Sequence, residues 1–310
     1  MSVVVVGVDG GGSKTRVVLA DEAGRPLGSV EGPASAVRPN AVEHSADVIA
    51  ACVRDALAHA GMEHVAPKVL YVGVAGVGRE PEREALWQAL VAREVAEDVA
   101  VHPDAMIALD DAFGEGPGVL LIAGTGSIAF GRGPDGTFAR CGGWGPVLGD
   151  EGSGAWIGRR ALNVATGSAD GREPETALTD ALLTAIEADD PAALIPWAAA
   201  ATPAQFATLA PVVFRVAAAG DLRANTLLSL AVEELVLHVR TLARRLFVDE
   251  RAAIPVALSG GLLGRGAPLH KRVDHRLKGA VPGAQVRAED VDPARGAVRG
   301  ALRLLGVELA

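Results

Sequence analysis

Two bends rich in glycine, serine and threonine are the segments of this sequence best suited to chemistry. The first, residues 9–15, divides the apolar segment 3–20, and the second, residues 124–127, divides the apolar segment 119–131. β-Branched residues are frequent on the flanks, which predicts two β-hairpins. Glycine lets a ligand approach the backbone closely, and consecutive backbone N–H groups with nearby hydroxyls can converge on an anion. The two hairpins therefore predict two phosphate-binding turns.

The similarity of the two hairpins continues beyond the bends. Polar turns at residues 21–24 and 133–136 follow them, and a short segment suited to a third strand comes after each turn. A single glycine-rich hairpin is explained equally well by turn formation alone, but a duplication in register favours a shared function. A P-loop is disfavoured, because Ser13 precedes Lys14 and a strand follows, and there is no GxGxxG motif for a dinucleotide after the first strand.

The composition indicates a cytoplasmic protein of two domains with a small-molecule partner. The chain has 310 residues, 49% of them hydrophobic, and a net charge of −9 without a long basic run. This balance argues against nucleic acid or a membrane surface as the main partner. Cys52 and Cys141 match no zinc or CxxC spacing. We find neither a signal-peptide pattern nor an apolar run of roughly 18 residues.

The remaining sequence alternates helical and strand patterns, which predicts a mixed sheet with helices on its faces. Predicted helices cover residues 41–60, 82–95, 104–112 and 294–305, and predicted strands cover residues 69–75, 99–102, 254–258 and 286–288. Residues 175–248 are rich in Ala and Leu and predict a helical insertion. Asp292 and Pro293 have the types expected at the N-cap and first residue of the last helix.

Several polar residues also have an ordinary structural interpretation. Asn40 with Glu43 fits an N-cap pair, and Asp104 fits an N-cap. Asp150 and its neighbour fit capping of a helix over residues 155–165.

Four further positions have interpretations that need no ligand. Asp9 fits an Asx-type turn, and Asp110 with Asp111 fits a solvated helix surface. Trp144 fits a core position.

The ordered set of motifs resembles the sugar-kinase/Hsp70/actin superfamily, and within it the family that joins N-acetylglucosamine kinases with BadF/BadG-type ATPases. The motifs are GVDGGGSKT from residue 7, VAGV from 74, Asp104-Ala105, GTGS from 124, GGWG from 142, LGDEGSG from 148 and Ser259-Gly260-Gly261. The resemblance covers nearly the whole chain. It implies an α/β fold of two actin-like, ribonuclease H-like domains, each a mixed five-stranded sheet with flanking helices, with ATP and sugar in the interdomain cleft. We expect residues 1–114 with the helix 293–310 in one domain and residues 115–292 in the other.

The resemblance also implies the roles of individual residues. Asp9 matches the acid that helps position the magnesium of Mg-ATP, and Asp104 matches the catalytic base. The implied phosphate contacts are Gly11, Gly12, Ser13, Lys14, Thr15, Gly124, Thr125, Gly126 and Ser127. Lys14 fits a solvent position equally well. Ser259, Gly260 and Gly261 match the adenosine-binding turn, and Ala218 lies in a segment matched to the neighbourhood of the base.

The sugar would be bound by a second set of residues. Gly142, Gly143, Trp144 and Asp150 match the sugar-contacting loop, where a carboxylate suits two neighbouring hydroxyls. The sequence departs from the family pattern at two positions. Pro103 precedes Asp104 where relatives commonly have Asn, and Ser35 stands near the place where the family often has a sugar-binding Asn. Asn40, a few residues later, is a second candidate for that contact.

The implied function is ATP-dependent phosphorylation of an amino-sugar hydroxyl, most simply of N-acetylglucosamine to its 6-phosphate. Glucosamine or N-acetylmuramic acid as the acceptor remains an alternative. Two rivals of other classes are an ATPase activator of a dehydratase with an iron–sulfur cluster and a sugar or nucleotide sensor without turnover. The expected ligands are an amino-sugar, ATP and Mg²⁺, and the expected assembly is a homodimer without nucleic acid or membrane partners.

Overall fold

A computed structural model describes residues 3–38, 40–249 and 252–307. It divides into two compact units, unit 1 (Met1–Gly116 with Val291–Ala310) and unit 2 (Pro117–Asp290). Residues 308–310 of the predicted C-terminal helix lie outside the described residues. Within the described ranges no helix is long and apolar enough to cross a membrane.

Unit 1 is a five-stranded mixed sheet with helices on both faces. Its elements, numbered in chain order, are β1 (Val4–Gly10), β2 (Thr15–Asp21), β3 (Pro26–Gly32), α1 (Val42–His59), β4 (Val69–Val74), α2 (Glu80–Val91), β5 (Asp98–Pro103), α3 (Asp104–Phe113) and α12 (Pro293–Leu304). The strand order is β3-β2-β1-β4-β5, with β1 antiparallel to β2 and parallel to β4. Every residue of β4 is buried, as its continuous apolar sequence predicts.

Successive side chains of β1 point to opposite faces of the sheet. Val6 and Val8 belong to the core formed with α1 and α2, whereas Val5 packs with α3 and α12 on the opposite face. Asp9 follows at the same period-two spacing as Val5, so it shares the face covered by α3 and α12. The C-terminal helix thus lies on the side of the sheet that carries the first acidic residue.

Gly7 permits the close approach of α12 to this sheet. A Cβ at this position would lie 2.6 Å from the Val298 nitrogen and 2.7 Å from the Ala294 oxygen, both backbone atoms. We expect Gly7→Ala to lower the free energy of unfolding by about 3 kcal/mol, since overpacking against backbone forces an element to move. Urea denaturation of the full chain measures the loss. Gly78→Ala, whose Cβ would meet nothing within 4 Å, is the control, and equal stability of the two variants would contradict this explanation.

Asp110 and Asp111 are not on a solvated helix surface, so that interpretation was wrong. Both are 6% exposed and pair with arginines of α12. Asp111 accepts from Arg295 Nε at 2.6 Å, and Asp110 forms an ion pair with Arg303. The sequence places these carboxylates on the face of α3 that α12 covers, a long-range contact that local spacing does not reveal. They hold α12 to α3 and are structural.

Unit 2 repeats the sheet of unit 1 and adds helices. Its elements are β6 (Gly118–Ala123), β7 (Ser127–Arg132), β8 (Phe138–Gly142), α4 (Gly145–Leu148), α5 (Gly154–Ala169), α6 (Leu178–Ala185), a 3₁₀ helix (Pro191–Ala193), α7 (Leu194–Ala200), α8 (Pro203–Ala207), α9 (Ala210–Ala218), α10 (Leu222–Leu246), β9 (Ile254–Ser259), α11 (His270–Ala280) and β10 (Ala284–Val286). The strand order is β10-β9-β6-β7-β8. The last strand lies two residues earlier than its predicted place at 286–288.

Two predicted helix caps were wrong. Helix α1 begins after Ala41, which forms no side-chain cap, and Asn40 precedes it with a positive φ of 61°. Helix α5 is capped by Ser153, whose side chain accepts from the Trp156 N–H. Both helices begin at a residue other than the expected one, so Asn40 and Asp150 are not capping residues.

Candidate active site

Asp9 and Asp104 lie at the same edge of the unit 1 sheet. Asp9 is the penultimate residue of β1, and Asp104 directly follows β5 as the first residue of α3. β1, β4 and β5 are parallel, and Asp9 is aligned with Gly73, which is aligned with His102. Two strand spacings of about 4.8 Å separate β1 from β5. Since ligands bind at the carboxyl ends of parallel strands, this edge is the candidate catalytic edge.

The electrostatics of this edge favour a cation. The pKa of Asp9 is raised to about 6, first by burial and then by the negative charges of Asp104 and Asp292. Arg16, opposite Asp9 on β2, opposes this shift but donates a 2.8 Å hydrogen bond to Asp292. The positive charge of Arg16 is therefore shared between two carboxylates. Sequence reasoning missed this partner, although its position two residues after Lys14 places it across from Asp9 in a tight hairpin.

Asp104 has the environment expected of a general base. Burial raises its pKa, and its Oδ1 accepts a 2.9 Å hydrogen bond from the Ala105 N–H. The N-cap of α3 is Pro103, so the interpretation of Asp104 as an N-cap was wrong. The helix begins at Asp104 itself, and its carboxylate accepts from the adjacent Ala105 N–H rather than capping the helix from outside.

The first bend exposes the backbone predicted to bind phosphate. Gly12, Ser13 and Lys14 are exposed, and Gly11 is partly buried. Lys14 pairs with Glu31, and both side chains are more than half exposed. Exposed ion pairs of this kind contribute little to stability, so a phosphate can replace Glu31 at little cost.

Thr15 and Ser35 are buried next to this bend, where their hydroxyls hydrogen-bond to each other. The Thr15 hydroxyl lies 2.6 Å from the Pro33 carbonyl and 2.7 Å from the Ser35 hydroxyl, and both side chains are at most 1% exposed. The Ser35 and Ala36 N–H groups donate to the Gly11 carbonyl. The loop after β3 therefore folds onto the hairpin, and the geometry does not support the predicted roles of Thr15 in phosphate binding and Ser35 in sugar binding.

The second bend is held by the N-terminus of α5. The Gly154 N–H donates to the Gly124 carbonyl at 2.8 Å, and the Ala155 N–H donates to the Thr125 carbonyl at 3.2 Å. Thr125 is exposed, with Gly126 partly buried beside it. These two hydrogen bonds fix the backbone of the bend against the positive end of the α5 dipole, which favours an anion nearby.

Ser127 is the counterpart of Thr15 in this second hairpin. Each is the first residue of the second hairpin strand, and each hydroxyl donates to a backbone carbonyl of a neighbouring loop. Ser127 is 3% exposed and bonds Glu151 at 2.7 Å. Its predicted phosphate contact is therefore unsupported as well, which leaves Ser13 and Thr125 as the exposed hydroxyls of the two bends.

The predicted adenosine turn lies beside the second bend. Gly260 has a φ of 91°, and a Cβ there would lie 2.4 Å from the Ala123 oxygen. The Leu262 N–H donates to the same oxygen at 3.0 Å. Ser259 and Gly260 are partly buried and Gly261 is exposed, so this turn offers backbone at the end of β6.

Ala218 is exposed at the end of α9, and its neighbour Ala217 is hydrogen-bonded to Asn225 of α10. The Asn225 side chain donates to the Ala217 carbonyl at 2.8 Å and accepts from Arg272 at 3.1 Å. Arg272 belongs to α11, which follows the Ser259 turn.

The predicted sugar loop is tightly built and ends in an unpaired carboxylate. Positive φ values let Gly142 and Gly143 pack against His238 and Ile128. The Asp150 carboxylate lies against Gly126, with Oδ2 2.9 Å from the place of a Cβ. None of the hydrogen bonds among the described residues involves this carboxylate, so it is free to accept from a ligand.

Trp144 of this loop is 65% exposed, so the interpretation of it as a core residue was wrong. The Arg140 guanidinium lies 4.6 Å from the centre of its ring. A ring presented in this way suits contact with the apolar face of a ligand.

The two cysteines do not fit ligands of an iron–sulfur cluster. Cys52 is 3% exposed in the core of unit 1, where it packs against Gly32, and Cys141 belongs to β8 of unit 2. Burial raises the pKa of the Cys52 thiol, which disfavours the thiolate that a cluster needs.

The two mixed sheets, each with a glycine-rich hairpin and flanking helices, define an actin-like α/β protein of the sugar-kinase type. A model of the BadF/BadG/BcrA/BcrD ATPase family matches residues 6–302. The chain therefore belongs to this family.

Similar proteins include sugar kinases over nearly their whole length. An N-acetyl-D-glucosamine kinase of Dictyostelium discoideum is 30% identical, with 96% of this chain and 98% of that protein covered. An N-acetylmuramic acid/N-acetylglucosamine kinase of Clostridium acetobutylicum is 29% identical, with 95% and 96% covered. The crystal structure of a proposed N-acetylglucosamine kinase of Chromobacterium violaceum superposes with a TM-score of 0.75 at 33% identity, covering 95% of this chain and 97% of the other.

Proposed function

We propose that this protein is an ATP-dependent kinase that phosphorylates the 6-hydroxyl of N-acetylglucosamine. The observation that carries the proposal is the pair Asp9 and Asp104 at one sheet edge, both with a raised pKa. Family membership and the named activities of the relatives supply the reaction class. Glucosamine and N-acetylmuramic acid remain alternative acceptors.

In this proposal Asp104 accepts the proton of the sugar hydroxyl. The hydroxyl oxygen forms a bond to the γ-phosphorus of ATP, the bond from that phosphorus to the bridging oxygen breaks, and ADP leaves with the electron pair. Because burial raises its pKa, Asp104 is a stronger base than an exposed aspartate. The bends at Gly11–Ser13 and at Gly124–Gly126 would hold the phosphates, Lys14 would exchange Glu31 for a phosphate oxygen, and the Ser259 turn with Ala218 would contact the adenosine.

The residues around Asp9 fit Mg²⁺ delivered with ATP. The described residues contain no cluster of three or more His, Cys, Asp or Glu that could enclose a metal. Mg²⁺ commonly keeps several waters and uses one or two carboxylates with substrate phosphates, so a single partly buried carboxylate is suitable. Bound there, Mg²⁺ would neutralise charge on the phosphates, and Asp9 would hold its water shell.

Asp150 would bind two neighbouring hydroxyls of the sugar, with Trp144 beside the ring and Asn40 as a further candidate contact. We expect Asp150→Asn to raise the KM for N-acetylglucosamine about 10–100-fold, because hydrogen bonds to a charged acceptor contribute about 1.5–3 kcal/mol. Steady-state kinetics, with each substrate varied in turn, measures both KM values. The KM for ATP should be unchanged. Glu151→Gln, one residue away, is the control, and an unaltered sugar KM in Asp150→Asn would remove Asp150 from the sugar site.

The product identifies the phosphorylated hydroxyl. After incubation with ATP, Mg²⁺ and N-acetylglucosamine, phosphorus–proton correlation NMR should couple the new phosphate to the C6 protons. Coupling to the C1 proton would contradict the assignment of the 6-hydroxyl. The cytoplasmic homodimer stays a prediction, and analytical ultracentrifugation tests the dimer.

A further inference from the structure

A cavity in unit 2 is lined by arginines and includes no residue of the second bend. It has a volume of about 310 Å³ and lies between α5 and the first part of α10. Its lining includes Arg160, Arg172, Arg223 and a single acidic side chain, Glu173. Asp170 and Glu173 pair with two of these guanidinium groups, so the third, Arg160, leaves the lining with a net positive charge, which none of the roles above uses.

Each arginine is oriented by a different partner. Arg160 lies over the Trp156 ring at 5.4 Å, Arg172 pairs with Asp170 at 2.8 Å, and Arg223 pairs with Glu173. No hydrogen bond or ion pair among the described residues uses the Arg160 guanidinium. The buried Nε of Arg223 likewise has no acceptor. An unpaired buried donor is destabilising, so the cavity lacks an acceptor that a ligand can supply.

The wall that carries Glu173 is fixed by the end of α5. The Arg172 and Glu173 N–H groups both donate to the Gly167 carbonyl, at 2.9 and 3.1 Å. The Glu173 Cγ lies 2.8 Å from the place of a Cβ on Gly167. Glu173 is therefore held close to α5, where it pairs with Arg223, and among the described residues the Arg160 guanidinium has no carboxylate partner.

We propose that this cavity binds a small organic phosphate monoester. Planar guanidinium groups match phosphate oxygens in bidentate geometry. A phosphate, with three free oxygens, can accept from more than one of these arginines at once. Val164, Leu227 and Leu230 also line the cavity, and Leu230 is 48% exposed. These side chains suit an apolar or ring portion next to the phosphate.

Isothermal titration calorimetry with phenyl phosphate tests this site on the full chain, at low salt and with a saturating non-hydrolysable ATP analogue and Mg²⁺. We expect binding at least about tenfold tighter than inorganic phosphate, because the ring buries apolar surface. Arg160→Gln and Arg172→Gln should each weaken binding about tenfold or more. Arg240→Gln, on the same helix as Arg223 but more than four turns later, should bind as the wild type does.

Thermal unfolding shows whether Arg160→Gln and Arg172→Gln are folded. If one of them fails to fold, the other still tests the site. Absence of phenyl phosphate binding would overturn the proposal. Equal binding by the wild type and by both arginine variants would overturn it too.

Discussion

Asp104→Asn is expected to lower kcat about 10²–10⁴-fold, the usual contribution of a positioned general base. Asparagine keeps the size of the side chain and can still accept from the Ala105 N–H, but it cannot take a proton. The KM for ATP should therefore change little. Coupled detection of ADP, with N-acetylglucosamine saturating, measures kcat in both proteins.

Asp98→Asn provides a control on the same strand, because Asp98 is exposed at the opposite end of β5. In the wild type, kcat/KM should rise with pH through a value above the ordinary aspartate pKa of 3.8, since burial raises the pKa of Asp104. Asp104→Asn should lose that rise. Wild-type kcat in Asp104→Asn would refute its role as the base.

Asp9→Asn is expected to stabilise the free protein while removing its response to Mg-ATP. The pKa of Asp9 is 3.8 in a model peptide and about 6 in the folded chain. The folded state therefore resists ionisation of Asp9. As pH rises from about 4 to 6 this group lowers the free energy of unfolding, and the loss is complete above pH 6. Allowing for partial exposure, the loss amounts to about 1–2 kcal/mol.

The asparagine variant should thus be about 1–2 kcal/mol more stable than the wild type at pH 8 and equally stable near pH 4. Urea denaturation without nucleotide measures this difference, and Asp55→Asn, an exposed aspartate on α1, is the control. Mg-ATP should raise the melting temperature of the wild type but not of Asp9→Asn, and kcat should fall. A variant that is less stable at pH 8 would show that Asp9 is a structural residue.

The duplicated hairpins and the parallel strands were predictable because their signals are local. β-Branched segments around glycine bends predict β1–β2 and β6–β7, and the structure confirms both pairs. The continuous apolar segment that forms β4 predicts a strand buried on both faces, which is also confirmed. Asp292 and Pro293 begin the last helix as their types predict.

The features that the sequence did not reveal depend on contacts between distant residues. Nothing near Asp111 in sequence indicates Arg295, which lies 184 positions later. Thr15 and Ser127 have the residue type and position expected for phosphate contacts. A loop folds back onto each hairpin, however, and its backbone carbonyl accepts a hydrogen bond from the hydroxyl. The raised pKa of Asp9 also depends on Asp292, which the sequence marks only as a helix cap. Residue types identified the chemistry of the site, whereas partners came from tertiary packing.

The most direct test of the proposed function is an ATP-coupled assay over N-acetylglucosamine, glucosamine, N-acetylmuramic acid, N-acetylmannosamine and glucose. We predict that ADP release depends on an amino-sugar, is fastest with N-acetylglucosamine, and is lost in Asp104→Asn. Folded wild-type protein that releases no ADP above its sugar-free rate with any of these acceptors would contradict the proposal that this chain is a sugar kinase.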